Sequence, residues 1–291
     1  MAVIDLHTHT IASDGEFEPA VLVERARNVG IRILSVTDHD TMAGIAEAAH
    51  AAAAHGMEFL PGIEITAVED RRDVHMLAYF LDPEPPGLGP FLKNQQADRS
   101  RRARIMSEKL ATFGVPINIE DTVTTAEVSG RAVTRPTLAK ALLDAGHVSS
   151  VREAFDRWLA DGRAAYVPRT GATPEEVVRL VARAGGVSAL AHPGLLRKDE
   201  LVAKLAQAGL GAIEAYHSGH DASSEAHYLR LAARYQLAVC GGSDFHGDGH
   251  RLAKRFGQIG LPHECFVALR ERVLMAHNAV HGEMVFGSNG K

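Results

Sequence analysis

Short apolar runs alternate with helix-spaced apolar positions along much of the chain. VIDLHTH reads as a strand, and PAVLVERARNVG as a helix closed at Gly30. ILSVTDHD predicts a second strand, and the Ala-rich GIAEAAHAAAAHG a helix closed by Gly56. EFLPGIEITAVE and DVHMLAYFLD predict two further strands. The rhythm returns after residue 172. TPEEVVRLVARAGG is a helix with Thr173 as N-cap and Pro174 in its first turn. GVSALAHPG, AIEAYHSG and AVCGGSDFHG follow as strands, with helices through DELVAKLAQAG and SEAHYLRLAARYQ between them and a last short strand at QIGL. Strands alternating with helices predict an α/β fold with a parallel sheet, and about seven repeats favour a closed or distorted barrel.

Residues 89–165 break this rhythm. The stretch is Arg-rich and helical in pattern (PFLKNQQADRSRRARIMSEKLATFG, RPTLAKALLDAG, VREAFDRWLADG), with a short β-like patch at VPINI. PEPPGLGP reads as the linker that opens it. The expected organisation is a barrel from residues 1–88 and 166–291, with 89–165 inserted as a small helical cap.

Composition narrows the function. The 291 residues are 46% hydrophobic and 23% charged, as in an ordinary soluble domain. No apolar run is long enough for a transmembrane helix, and the N-terminus shows no basic, apolar export signal, so a cytoplasmic protein without membrane contact is expected. The two cysteines, Cys240 and Cys265, exclude a disulfide framework and fit a reducing compartment. A net charge of −5 argues against duplex nucleic acid as a partner. A polyanionic substrate would need a locally positive site.

The histidine count, 16, is the anomaly. Eight of them (His50, His55, His147, His227, His250, His263, His277 and His281) carry no pattern. The others fall beside carboxylates. His7 and His9 form an H-x-H, which period two places on one face of a strand. Asp14 follows in ASDG, His39 ends TDHD, and Glu64 sits among apolar residues in GIEIT. His75 lies on the fourth strand, His192 ends AHPG, and Asp244 and His246 end GGSDFHG. Barrel active sites lie at the C-terminal ends of strands, where these residues gather. Burying so many ionisable groups without an ion would cost several kcal/mol. Nine candidate ligands exceed the needs of one metal and imply two or three ions, with Glu64 or Asp244 bridging. Imidazole with carboxylate suits Mn, Fe or Zn better than Mg or Ca. Three divalent ions against three carboxylates leave about +3, which would draw in phosphate and activate a water for in-line displacement.

IDLHTH, the loop Asp14, TDHD, GIEIT, AHPG and GGSDFHG together resemble the ordered motifs of the PHP (polymerase and histidinol phosphatase) family. The resemblance spans nearly the whole chain. It implies a distorted (β/α)7 barrel whose trinuclear site, with Mn the expected metal and Fe or Zn alternatives, uses His7, His9, Asp14, His39, Glu64, His75, His192, Asp244 and His246. Its members are mainly phosphoesterases.

Within the insertion, ADRSRRARIM holds four arginines. At about 100° per residue Arg99 falls on the stripe of Leu92, Met106, Leu110 and Phe113 and Arg102 at its edge, while Arg101 and Arg104 point away. An inward arginine requires an anion, either a buried carboxylate or a bound phosphate, and phosphate is preferred beside a metal pocket. Pro136 fits the first turn of a helix, placing Thr134 and Arg135 at an anion-favouring N-terminus. His217, in AYHSGH, is a candidate phosphate contact or proton donor to the leaving group; Asp244 joins it as a catalytic candidate and Asp14 as a substrate contact. The insertion resembles one PHP branch, of 3′,5′-nucleotide bisphosphate phosphatases and 5′→3′ exoribonucleases, although Thr137 stands where that branch commonly has histidine. The leading expectation is a phosphatase removing the 3′-phosphate of a nucleoside 3′,5′-bisphosphate such as pAp. Its rival is a phosphodiesterase on short 5′-phosphorylated RNA. A non-catalytic metal-binding PHP module is the alternative from another class.

Overall fold

The strands fall into two sheets that touch along both edges. A computed structural model describes residues 3–282. The first part of the chain runs β1 (Ile4–Asp5), α1 (Pro19–Asn28), β2 (Ile33–Leu34), α2 (Ile45–Ala54), β3 (Glu58–Phe59), β4 (Gly62–Glu69) and β5 (Arg72–Tyr79). Then come α3 (Leu88–Thr112), α4 (Glu120–Ser129), α5 (Arg135–Asp144) and α6 (Val151–Ala154), the last extended by a π-helical turn, Phe155–Leu159. The rest is α7 (Pro174–Arg183), β6 (Val187–Leu190), α8 (Pro193–Leu196), α9 (Asp199–Ala208), β7 (Ala212–His217), α10 (Ala222–Arg234), β8 (Ala238–Gly242) and α11 (His263–His281).

One sheet orders β1-β2-β3, all parallel; the other orders β4-β5-β6-β7-β8. Single bridges join them, Thr8 with Phe245 at one seam and His39 with Glu64 at the other. The fold is therefore mixed α/β, and among the described residues no continuous seven-stranded parallel ladder closes a barrel. The clearest departure is β5, antiparallel to both β4 and β6. Only Asp70 and Arg71, both at positive φ (51° and 62°), separate β4 from β5. Two residues make a hairpin, whereas a parallel return needs a crossover of a dozen or more. The β-like patch at VPINI is irregular chain whose Val115, Ile117 and Ile119 pack into the apolar cluster shared by α3–α6. QIGL is likewise not a strand, though Leu261 N–H still reaches Ile4 O at 3.2 Å.

Period-two alternation sorts the main sheet. Ile63, Ile65, Val74, Met76 and Phe80 face a layer of α7, α9 and α10. Leu77 and Tyr79 point the opposite way, joining Leu6, Ala189 and Cys240 against Phe266, Leu269 and Val273 of α11. Glu64, Thr66 and His75 share that second face, since Glu64 pairs with Leu77 and Thr66 with His75. No helix of the described residues is long and apolar enough to cross a membrane.

Candidate metal centre and adjoining cavity

Glu64 is the hub. It is fully buried, and its Oε2 lies 3.4 Å from His7 Nε2, 3.3 Å from His9 Nε2 and 3.1 Å from His39 Nδ1. Its Oε1 lies 3.0 Å from both His75 Nδ1 and His192 Nε2. Asp244 is the second hub: Oδ1 stands 3.4 Å from His7, 3.2 Å from His9 and 3.5 Å from His246, and Oδ2 3.3 Å from His217. Asp14 lies 3.4 Å from His246 Nε2 and 3.7 Å from His39 Nε2. Ligand atoms close enough to share an ion form four overlapping groups: His9, Asp14, His39 and His246; His7, His9 and Glu64; His7, His217 and Asp244; His39, Glu64 and His75. Eight of the nine expected ligands occur in these groups. His192 reaches the centre through Glu64, and His217, expected to serve substrate or proton transfer, joins a ligand group.

The donor set fits a metal. Buried His7 Nε2, both ring nitrogens of His9, His39 Nδ1 and Glu64 Oε2 have no hydrogen-bond partner. Leaving five buried polar atoms unpaired would cost about 1–3 kcal/mol each, a cost that cations bound among the overlapping ligand groups would relieve. His7 Nδ1 meets Glu214 Oε1 at 2.9 Å, which leaves Nε2 as its ligand atom.

Backbone devices aim these groups. His39 and Asp244 sit beside or at turns with non-glycine residues at positive φ (Asp40 52°, Asp244 54°), and His192 itself has φ 28°. Such conformations cost of order 1–3 kcal/mol each and persist only where the surroundings hold them. A β-bulge between Glu214 and Tyr216 reverses the alternation of β7, so that both Glu214 and His217 turn inward. Gly242 allows the seam to close: a Cβ there would lie 2.3 Å from the His7 backbone nitrogen.

Charge is apportioned unevenly. Burial acts to raise Glu64, but His39, His75 and His7 overcome it and hold the carboxyl well below its usual range. Burial lowers His39 to about 3, against the pull of Glu64 and Asp14. For His246 burial is outweighed by Asp14 and Asp244, which raise it to about 10, and His7 is raised well above its usual value by Glu214, Glu64 and Asp244 against the same burial. His246 and His7, unlike His39, thus favour their protonated forms, and a metal must displace those protons. Metal binding is therefore expected to release protons and to weaken as pH falls from 8 to 6. Titration calorimetry in buffers of differing ionisation enthalpy reads the release directly; a buffer-independent heat would contradict it.

A cavity of about 210 Å³ adjoins the centre, lined by Asp14, His39 and His75 and also by Arg99, Arg102, Arg135 and Arg169. Arg99 and Arg102 are buried, while Arg101 is exposed and Arg104 half-buried. Arg99 has a carboxylate partner: its Nε donates to Asp40 at 2.7 Å and its Nη2 to Thr66 at 3.0 Å. Arg102 donates to the Val167 carbonyl at 3.1 and 2.8 Å. Arg135 pairs with Asp161 at 2.6 Å, and Thr134 caps α5 together with Thr137.

Four participants escaped the sequence reading. Arg169, buried in VPRTG, donates to Asp40 at 3.2 Å; burial lowers its guanidinium to about 10. Asp40 stays charged, well below the usual carboxylate range despite its burial, because Arg99 and Arg169 flank it. Glu214, an isolated carboxylate in AIEAY, carries the same signal as Glu64 in GIEIT. His250 lies tilted beside His246, ring centroids 4.8 Å apart.

Residues 5–159 match the PHP domain. The chain belongs to the PHP family. It is 34% identical over 251 residues to a 5′-3′ exoribonuclease Rnm of Escherichia coli, covering 84% of this chain and 85% of the relative. It is 33% identical over 254 residues to a 3′,5′-nucleoside bisphosphate phosphatase of Chromobacterium violaceum, covering 86% and 89%. Among solved PHP-like structures, a chain from Bifidobacterium adolescentis described as a metal-dependent phosphoesterase superposes with a TM-score of 0.83 at 34% identity, over 92% of this chain and 95% of that one. An amidohydrolase from Chromobacterium violaceum, solved with bound sulfate and no metal, gives 0.82 at 32% identity over 93% and 97%. The mixed α/β fold thus matches that of PHP phosphoesterase structures.

Proposed function

We propose that the chain is a metal-dependent phosphatase that removes the 3′-phosphate from nucleoside 3′,5′-bisphosphates such as pAp, leaving a nucleoside 5′-monophosphate and phosphate. The observation that carries this reading is one cavity lined both by metal-group residues and by four arginines. A substrate with two phosphates has a use for both. In this reading His7, His9, Asp14, His39, Glu64, His75, His192, Asp244 and His246 hold three divalent ions, Mn2+ being the metal we favour. When bound, the ions supply an activated water and neutralise charge developing on the phosphoryl oxygens.

The chain's own groups divide the remaining work. Arg99, Arg102 and Arg135, together with Arg169, hold the second phosphate, and Thr134 offers its N-cap position. Residues 89–165 act as the cap that completes this pocket. His217, held 3.3 Å from Asp244, orients that carboxylate or passes a proton toward the leaving oxygen.

A 5′→3′ exoribonuclease acting on short 5′-phosphorylated RNA is supported about equally, because relatives with each name match at nearly the same identity and coverage. Both readings use the same two subsites. Assay of the Mn-loaded protein on pAp, AMP, 3′-AMP and a 5′-phosphorylated dinucleotide separates them. Inorganic phosphate from pAp, with kcat/KM at least tenfold above the dinucleotide, is expected. Preferential release of nucleoside monophosphate from the dinucleotide would favour the nuclease, and no hydrolysis of any ester would leave a non-catalytic metal-binding module.

A further inference from the structure

His192 occupies a conformation that its own sequence does not favour. Its φ of 28° and ψ of 56° open the four-residue α8, and Pro193 follows directly. The backbone N–H groups on either side of that proline are both caught by buried side chains from β7 and the loop after it. His192 N–H donates to Glu214 Oε2 at 2.6 Å, and Gly194 N–H donates to His220 Nε2 at 3.1 Å. His220 Nδ1 lies 2.8 Å from the Ala215 carbonyl. A carbonyl only accepts, so Nδ1 carries the proton and Nε2 offers the lone pair that Gly194 needs. The ring is 4% exposed and stacks on Tyr228, with centroids 5.1 Å apart. There is no slack between the partners: a Cβ on Gly194 would lie 2.7 Å from His220 Cδ2 and Nε2.

We propose that His220 is a positioning residue that fixes the strained His192–Gly194 turn and so presents His192 Nε2 to the metal centre beside Glu64. The inference rests on the reading of His192 as a metal ligand. It assigns to His220 a task that neither the cavity nor the ligand groups include. Glu214 serves both sides of the same device, since Oε1 holds His7 while Oε2 holds the His192 backbone.

The test compares H220N, H220Q, G194A and H192A in the full-length chain. Gln can place an acceptor oxygen where Nε2 stands; Asn is too short and retains only the Ala215 side. Mn2+ affinity and Mn2+ bound per chain are measured on chelator-treated protein, alongside the metal-free Tm and the split between kcat and KM. H220N and G194A are expected to lose about 10–100-fold in affinity for the ion that H192A also loses. H220Q should stay within about threefold of wild type, and the metal-free Tm of all variants within about 4 °C. Wild-type affinity in H220N, with affinity lost in H192A, would overturn the positioning role and leave the ligand reading intact. Wild-type affinity in H192A would remove the ligand reading and this inference with it. Equal losses in H220N and H220Q would also overturn it, because the Gly194 hydrogen bond would then not be the cause. Should H220N fold poorly, G194A reaches the same contact from the other side and is judged by the same readouts.

Discussion

Glu64→Gln is expected to lower kcat/KM for any phosphate ester by about 10³-fold or more, or ~4 kcal/mol of transition-state stabilisation. The substitution keeps the shape of the side chain and removes its charge. Five imidazoles face the two oxygens of Glu64 within 3.4 Å, and all four ligand groups contain Glu64 or a histidine in contact with it. A neutral amide would present N–H hydrogens to nitrogens that must bind metal. It would also leave each adjacent ion without its shared anion, a cost that grows with burial. The variant should bind fewer ions per chain, as read by elemental analysis after desalting. Its far-UV circular dichroism should match wild type, because the apolar layers on either face of β4 are untouched. Full metal content with wild-type kcat/KM would refute the placement of Glu64 at the hub. Glu214→Gln is a graded control: Glu214 touches ligands and not ions, so a loss of about 10–100-fold is expected.

That hub was legible because its signal is local. A lone carboxylate in GIEIT contradicts its apolar neighbours, and H-x-H at a strand end puts two imidazoles on one face without knowledge of the rest of the fold. The hairpin at Asp70–Arg71 was also open to reading, since two residues between strands exclude a crossover. Its consequence matters for the site. Because β5 runs backwards, His75 enters the centre from the first half of its strand, not from the C-terminal end. Other features depend on contacts that no window of sequence contains. His217 turns inward only because of the bulge in β7, and strict alternation from Glu214 would have turned it away. Arg169 means little in VPRTG until Asp40, 129 residues distant, is seen between it and Arg99. The division into two sheets was unreadable for a different reason: β1, β2 and β3 have two residues each, too few for a periodic signal. Helix α11 is the opposite case. Phe266, Leu269 and Val273 recur at helical spacing and cover the Leu77–Tyr79 face of the sheet, a pattern the sequence carries beyond its last ligand motif.

The arginines of the cavity are not equivalent, and their pairing ranks them. Arg99 and Arg169 share Asp40, and Arg135 has Asp161 and, at 3.5 Å, Asp73. Arg102 is buried, yet its hydrogen bonds go only to the Val167 carbonyl, and among the described residues it makes no salt bridge. Burial lowers its guanidinium from the usual value, Asp73 pulling the other way. A buried cation met only by a neutral acceptor is the one best served by a second phosphate. Arg102→Met is therefore expected to reduce kcat/KM for pAp by about 10–150-fold, the ~1.5–3 kcal/mol of a charge-assisted hydrogen bond. A monoester without a second phosphate should lose less than about threefold. Arg99→Ala makes a poorer probe of the second phosphate. It strips Asp40 of a partner 2.7 Å away, beside His39, and should impair both substrate classes together. Asp40 would then stand buried against Arg169 alone, and the loss should extend to stability, with a lower Tm in the metal-free protein. If Arg102→Met damages monoester and bisphosphate equally, the second phosphate does not lie against Arg102 and the two-subsite reading of the cavity fails.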